Sequence, residues 1–145
     1  MKTPNLPFQV AVVLLSVLAA CESTTSRTEL ESPVPASPVG SWSLTAFDLA
    51  GGQTVLVPAP ERYRLDLSAG LDAHVRADCN FCNGGYRVAG STLELGLLAC
   101  TLAACAPGSL DGEYLRALGS ASSFILEAEE LLLAYPEGVL RFGPS

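Results

Sequence analysis

The sequence predicts a mainly β domain (α+β): a curved antiparallel sheet or a partly closed small barrel, with one short helix covering an opening or a face. Three observations carry this expectation. Apolar and polar residues alternate in short runs along most of residues 39–145, the period of a half-buried strand. Clusters of Gly, Pro and Asn punctuate those runs. Only one segment, near residues 109–119, has apolar residues at helical spacing.

The elements follow in chain order. Trp42, Leu44 and Ala46 alternate with Ser41, Ser43 and Thr45. Gly51-Gly52 then reads as a turn, and Val55-Leu56-Val57 as a short strand ended by Pro58 and Pro60. Tyr63, Leu65 and Leu67 alternate with Arg62, Arg64 and Asp66; Ala73, Val75 and Ala77 alternate with His74, Arg76 and Asp78. Gly84-Gly85 reads as a second turn, before Tyr86 and Val88. Ala89-Gly90 makes another, before Leu93 and Leu95. Ser109 suits a helix N-cap, with Asp111 and Glu113 in the first turn, Leu110, Tyr114, Leu115 and Leu118 on one face, and Gly119 at the stop. Strands at Phe124–Glu127, Leu131–Tyr135 and Val139–Phe142 finish the domain, the last two separated by Pro136-Glu137-Gly138.

The first 38 residues read differently. Met1 and Lys2 precede the apolar run Phe8–Ala20, which is too short to span a bilayer and suits the hydrophobic region of a signal peptide. The run ends in Leu18-Ala19-Ala20-Cys21, which resembles the bacterial lipobox. That resemblance implies cleavage before Cys21 and lipidation of its thiol, with acyl chains such as palmitate inserting into the lipid bilayer. By resemblance to lipoproteins of two-membrane bacteria, Glu22 rather than Asp after the cysteine implies sorting to the outer membrane, facing the periplasm. Residues 22–38, ESTTSRTELESPVPASP, lack apolar periodicity and read as a disordered tether. The expected organisation is a signal peptide at 1–20, the lipidated cysteine and linker at 21–38, and a folded domain at 39–145.

Charge and residue inventory narrow the function. The chain has 15 acidic and 8 basic residues, a formal charge of −7, and removal of Lys2 with the signal peptide makes it one unit more negative. Nucleic-acid binding needs clustered cations, which the sequence lacks. His74 is the one histidine and falls on the polar side of a strand, where it reads as solvated rather than catalytic. Glu127, Glu129 and Glu130 read as a solvated turn rather than a cation site, and neither glycine pair has the setting of a phosphate loop. Trp42, Tyr63 and Tyr86 read as core. No catalytic, cofactor or metal site is therefore expected.

Four cysteines follow Cys21: Cys79, Cys82, Cys100 and Cys105. Two structural disulfides suit an even count in a small exported domain. The C-x2-C-x17-C-x4-C spacing is also close to a zinc ribbon, and Cys79-Asn80-Phe81-Cys82 has the spacing of a redox motif, although it lacks the helical setting that activates one. Of these three, disulfides are the principal expectation.

Several of these residues, in order, resemble the META domain, also called the heat-shock HslJ-like family, over about residues 40–143. They are Gly40-Ser41-Trp42, Cys79-Asn80, Gly84-Gly85-Tyr86, Leu93-Glu94-Leu95, Thr101-Leu102-Ala103-Ala104-Cys105, the helix with Glu113 and Leu118, and Leu140-Arg141-Phe142. The family often has Gly where this chain has Asp78, and Arg and Met where it has Leu102 and Ala103. The resemblance implies a small antiparallel β domain on an exported lipoprotein, associated with envelope stress and with no agreed reaction. Cys79 and Cys105 fall on the family's two cysteine positions, which implies that they pair, leaving Cys82 with Cys100 in a nested arrangement.

The expectation is thus a non-enzymatic, lipid-anchored envelope protein with an accessory structural or interaction role. The alternatives are a small-ligand binder, favoured by a closed apolar cavity, and a peptidase-inhibitor-like or chaperone-like partner; an exposed aromatic patch would separate a protein binder from an inert spacer. Its partner is an envelope protein or a small molecule that the sequence does not name.

Overall fold

The computed structural model describes residues 37–145. The expected signal peptide, the lipidation site Cys21 and the tether as far as residue 36 lie outside the described residues. Ten strands and one α-helix follow: β1 (Gly40–Leu49), β2 (Thr54–Leu56), β3 (Tyr63–Leu67), β4 (Asp72–Ala77), β5 (Asn80–Ala89), β6 (Thr92–Leu95), β7 (Ala99–Cys100), α1 (Asp111–Gly119), β8 (Ser123–Glu127), β9 (Glu130–Tyr135) and β10 (Gly138–Pro144). A single 3-10 turn, Pro60–Arg62, precedes β3.

Eight strands close into an antiparallel barrel in the order β1-β3-β4-β5-β6-β8-β9-β10, and β10 returns to β1 along Trp42↔Pro144 to Leu49↔Gly138. β2 extends the sheet from β1, and β7 pairs only with β5. The ring is thinnest between β6 and β8, where Thr92↔Ser123 is the one paired position. The alternation read from sequence decides the interior. Leu44, Leu65, Val75, Leu93, Leu131, Leu133, Leu140 and Phe142 are all at most 2 % exposed. Burying each such side chain contributes roughly 1.5–3 kcal/mol. Arg64, Asp66, His74, Arg87 and Glu94 occupy the opposite, outer face. Strand alternation breaks once, in β1, where the register with β10 shifts between Leu44 and Ala46. The extra residue, Thr45, bonds the Arg141 carbonyl (3.0 Å), and both Ala46 and Phe47 are buried.

Helix α1 packs against β4, β6 and β9. Tyr114 is its fully buried anchor, edge-on to Tyr63 at 5.9 Å and tilted against Phe142 at 6.2 Å. The helix begins one residue later than Ser109 would place it. Leu110 holds the N-cap position, because its N–H donates to the Tyr63 hydroxyl (2.9 Å) and its carbonyl already accepts from Tyr114 N–H (2.8 Å). Ser109 Oγ accepts from the Asp111 N–H at 3.3 Å. Gly119 ends the helix, and Ser120 caps it by donating from Oγ to the Arg116 carbonyl (3.0 Å).

Gly84-Gly85 is not the turn that its composition suggests. Both glycines lie inside the ten-residue strand β5, and the chain reverses earlier, at Asp78-Cys79. The reason for glycine is a close approach: a Cβ on Gly84 would sit 2.6 Å from the Leu97 carbonyl oxygen and 2.8 Å from Leu98 Cδ2. The segment that comes so close, Gly96–Cys105, is a strap laid along the first half of β5. Its two-residue strand β7 was too short to show in the sequence pattern.

Candidate functional site

The strap is the part of the domain built least like the rest, and its construction starts at the β4–β5 turn. Asp78 has φ +58°, in the left-handed region, and is only 3 % exposed. An aspartate tolerates that conformation better than most side chains. Its carboxylate is ion-paired with the Arg62 guanidinium, which offsets burial of the charge, and its N–H donates to the Arg62 carbonyl at 2.7 Å. The turn sets Cys79 and Asn80 facing the strap.

Asn80, 4 % exposed, is the strap's organiser. Its Oδ1 accepts from Thr101 Oγ1 (2.9 Å) and from the Ala103 N–H (2.8 Å). Its Nδ2 donates to the Ala103 carbonyl (3.0 Å) and to Asp111 Oδ2 at the start of α1 (3.2 Å). One buried amide thus satisfies backbone that no strand partner reaches. Thr101 completes the clasp: its N–H donates to the Phe81 carbonyl (3.0 Å), and its Oγ1 accepts from the Phe81 N–H (3.0 Å).

Two covalent links flank this clasp. Cys79 is bonded to Cys105, with Cα atoms 5.5 Å apart, and Cys82 to Cys100, with Cα atoms 4.0 Å apart. Cys82 faces the barrel interior at 1 % exposure, so the inner link ties the strap to the core. Cys79 and Cys82 are not joined to each other. The sequence separations are 26 and 18 residues, and each link constrains the unfolded chain by about 3 kcal/mol in the chain-entropy model.

Held in this way, the strap turns apolar side chains to solvent. Leu97 is 99 % exposed and Leu102 95 % exposed. On the neighbouring strand β5, Phe81 is 55 % exposed, with the Arg76 guanidinium 5.8 Å from its ring centroid.

The other residues singled out from sequence are not drawn together. His74 is exposed on the outer face of β4 with Nδ1 2.6 Å from Asn83 Oδ1, and its register partner Asp66 is engaged by Arg64 at 3.3 Å. Glu127 and Glu130 face each other at the end of the β8–β9 hairpin, around Ala128 and Glu129, both in the left-handed region. Tyr63 and Tyr86 are buried, and the Trp42 indole N–H donates to the Pro38 carbonyl (2.8 Å). Among the described residues, no group of three or more His, Cys, Asp or Glu side chains is placed to hold a metal. The clefts are surface features. One of them, about 410 Å³, lies open along Gly85–Arg87 and Glu94–Gly96.

The barrel, its helix and its strap define a small antiparallel barrel domain whose distinctive element is a cross-linked surface segment. The META domain family matches residues 37–144, and the chain belongs to that family. Among solved structures, an NMR structure of a protein from Burkholderia xenovorans is 26 % identical and covers 99 % of each chain, with a TM-score of 0.62. A crystal structure of a DUF4847 family protein from Bacteroides vulgatus is 13 % identical, covers 73 % of this chain and 92 % of its own, and has a TM-score of 0.54, a likeness of fold alone. No curated protein matches the chain. Neither the family nor these structures carry an enzymatic name.

Cys79, Asn80, Thr101 and Cys105 stand in the string that the sequence resemblance rests on, whereas Cys82 and Cys100 lie outside it. Sequence reasoning did not reach what Asn80 does, or the part played by Asp111. The available signal was a lone Asn between apolar strand positions, where an amide survives only if it is fully hydrogen-bonded.

Proposed function

We propose that the chain is a lipid-anchored lipoprotein of the bacterial outer membrane, facing the periplasm, whose META domain is a non-enzymatic protein-binding module and whose contact element is the strap Gly96–Cys105. The observation that carries this reading is the near-complete exposure of Leu97 and Leu102 on a segment fixed by two disulfides and Asn80. Preformed, uncovered apolar side chains lose little entropy on binding and gain the full transfer energy when a partner covers them. The lipobox-like Leu18–Cys21 and the polar stretch that follows supply the anchor and tether, and paired cysteines suit an oxidising compartment.

The competing small-ligand reading needs an enclosed apolar cavity. The barrel interior is instead filled by Tyr114, Phe47, Phe142 and the strand leucines, which favours the protein-binding reading.

A photo-crosslinking amino acid at position 102 of the lipidated protein, expressed in its own cells, is expected to trap discrete protein adducts absent when the probe replaces Ile125 on β8. Absence of any adduct specific to position 102 overturns the strap as contact element. Cys21→Ser is expected to leave the precursor uncleaved or free of the membrane. A Cys21→Ser protein that is cut and fractionates like the unaltered chain overturns the lipid anchor.

A further inference from the structure

Resting on the reading of the strap as a protein-contact element, we propose that Ala99–Ala104 is a substrate-like inhibitory loop for a serine peptidase of the chymotrypsin type, with Leu102 filling an apolar specificity pocket. Three features of the strap meet the requirements of such a loop together.

The first is conformation. Peptidases of this type bind substrate as an extended strand and read one side chain at the cleavage position. No residue from Ala99 to Pro107 has positive φ, and no turn or bend interrupts residues 101–106. The run continues from strand β7, whose bonding to β5 reaches Thr101; Leu102 stands out from it, while Thr101 Oγ1 points back to Asn80.

The second is the free backbone edge. Cys82 and Cys100 face each other with Cα atoms 4.0 Å apart, the spacing of a narrow, non-hydrogen-bonded antiparallel pair. The N–H and C=O of Cys100 therefore face away from β5. The Thr101 N–H turns inward to Phe81, so the Leu102 N–H alternates outward again. Among the described residues no hydrogen bond uses the Leu102 backbone, and β7 has no strand partner beyond β5. This edge offers an incoming peptidase strand backbone groups at residues 100 and 102.

The third is restraint on both sides of one peptide bond. Cys100 is tied to the scaffold two residues before Leu102, and Cys105 three residues after it. Asn80 holds Thr101 on one side of the Leu102–Ala103 bond, and both the N–H and the carbonyl of Ala103 on the other. This restraint separates an inhibitor from a substrate. The peptidase serine Oγ attacks the Leu102 carbonyl carbon, and the Oγ–C bond forms as the C–N bond to Ala103 breaks. The serine proton passes through the peptidase histidine to the Ala103 nitrogen, which becomes an amine, and Leu102 becomes an ester on the serine. From an ordinary substrate the amine departs and water hydrolyses the ester. Here the disulfide at Cys105 and the Asn80 amide keep the Ala103 amine against the ester, so the peptide bond re-forms in competition with water. When water does win, one molecule is consumed, giving a Leu102 carboxylate and an Ala103 amine that remain joined through the two disulfides.

The test uses the full-length lipidated protein in detergent, titrated into chymotrypsin and, separately, trypsin, with cleavage of a chromogenic peptide as the readout. The expected result is inhibition of chymotrypsin with a dissociation constant below about 1 μM and no effect on trypsin. Leu102→Asp should weaken inhibition about 100-fold or more, and Leu102→Arg should move it from chymotrypsin to trypsin. Leu102 packs against nothing, so both variants should melt at the unaltered temperature. Mass spectrometry should find at most one cut, at Leu102–Ala103, adding one water. Absence of chymotrypsin inhibition, brisk digestion without inhibition, or a Leu102→Arg protein inert towards trypsin overturns the proposal. If position 102 still crosslinks a cellular protein in any of those cases, the protein-binding reading stands and only the peptidase class falls. If neither effect is found, both fall.

Discussion

The barrel wall and the strap are held by different physics. Between β9 and β10, Leu131, Leu133, Leu140 and Phe142 are removed from water and every strand has neighbours on both sides. Between Gly96 and Cys105, by contrast, Leu97 and Leu102 are left in water, only Leu98 and Cys100 pack on the core, and the segment is held by two cross-links, the Asn80 amide, and the Thr101 and β7 bonds to β5. The difference teaches why the strap can afford apolar display. A loop stabilised by burial would have to turn its leucines inward, whereas one stabilised covalently is free to point them out. It also teaches why the strap's geometry is insensitive to what Leu102 is.

Perturbations should separate the two regions. The largest effect is expected from reduction of both disulfides. Each is worth about 3 kcal/mol in the chain-entropy model. Because the 82–100 loop lies inside the 79–105 loop, the two contributions should add to less than their sum. Against a total of roughly 5–15 kcal/mol for a domain, thermal melts with and without reductant should differ by many degrees. Equal melting temperatures would mean that the cross-links do not constrain the chain.

A smaller effect is expected from Asn80→Ala, which leaves the Ala103 N–H and carbonyl and the Thr101 hydroxyl without their partner. The cost should be about 1–3 kcal/mol. Hydrogen exchange should rise first at Ala103, while the β9 and β10 amides stay protected. Uniform loss of protection across the barrel would contradict the separation of the two regions.

The smallest effect is expected in the helix plug. The Tyr114 hydroxyl is buried with no hydrogen-bond partner among the described residues. Tyr114→Phe should therefore change stability by less than about 1 kcal/mol, on the stabilising side if at all. Burial, and secondarily the Asp66 charge, push the Tyr114 pKa well above 10.0. The neutral form is favoured in the fold, so its contribution is intact below the unfolded value and is lost as pH climbs from there towards the folded value. Stability should fall above about pH 10, and Tyr114→Phe should flatten that fall. An unchanged alkaline slope would show that other groups, Tyr86 and Tyr135 among them, carry it.

The wall was legible in the sequence because period-two alternation and barrel burial are the same fact seen twice, and β3, β4 and β9 fall where the alternation puts them. The strap was not. Its strand β7 has two residues, too few for a period. Gly84-Gly85 carries the composition of a turn but answers a backbone crossing that is distant in sequence, at Leu97. The start of α1 shifted for a similar reason, since the Tyr63 hydroxyl, 47 residues away, bonds the Leu110 N–H. Local residue chemistry announces itself along the chain, whereas contacts across the barrel do so only when both partners have been placed.

The central claim, that nested cross-links hold the strap, is tested most directly by peptide mapping of the protein purified from its own cells without reductant, with metal analysis of the same sample. The account predicts two linked species, Cys79 with Cys105 and Cys82 with Cys100, and no stoichiometric metal. A peptide linking Cys79 to Cys82, or four free thiols accompanied by zinc, would contradict it.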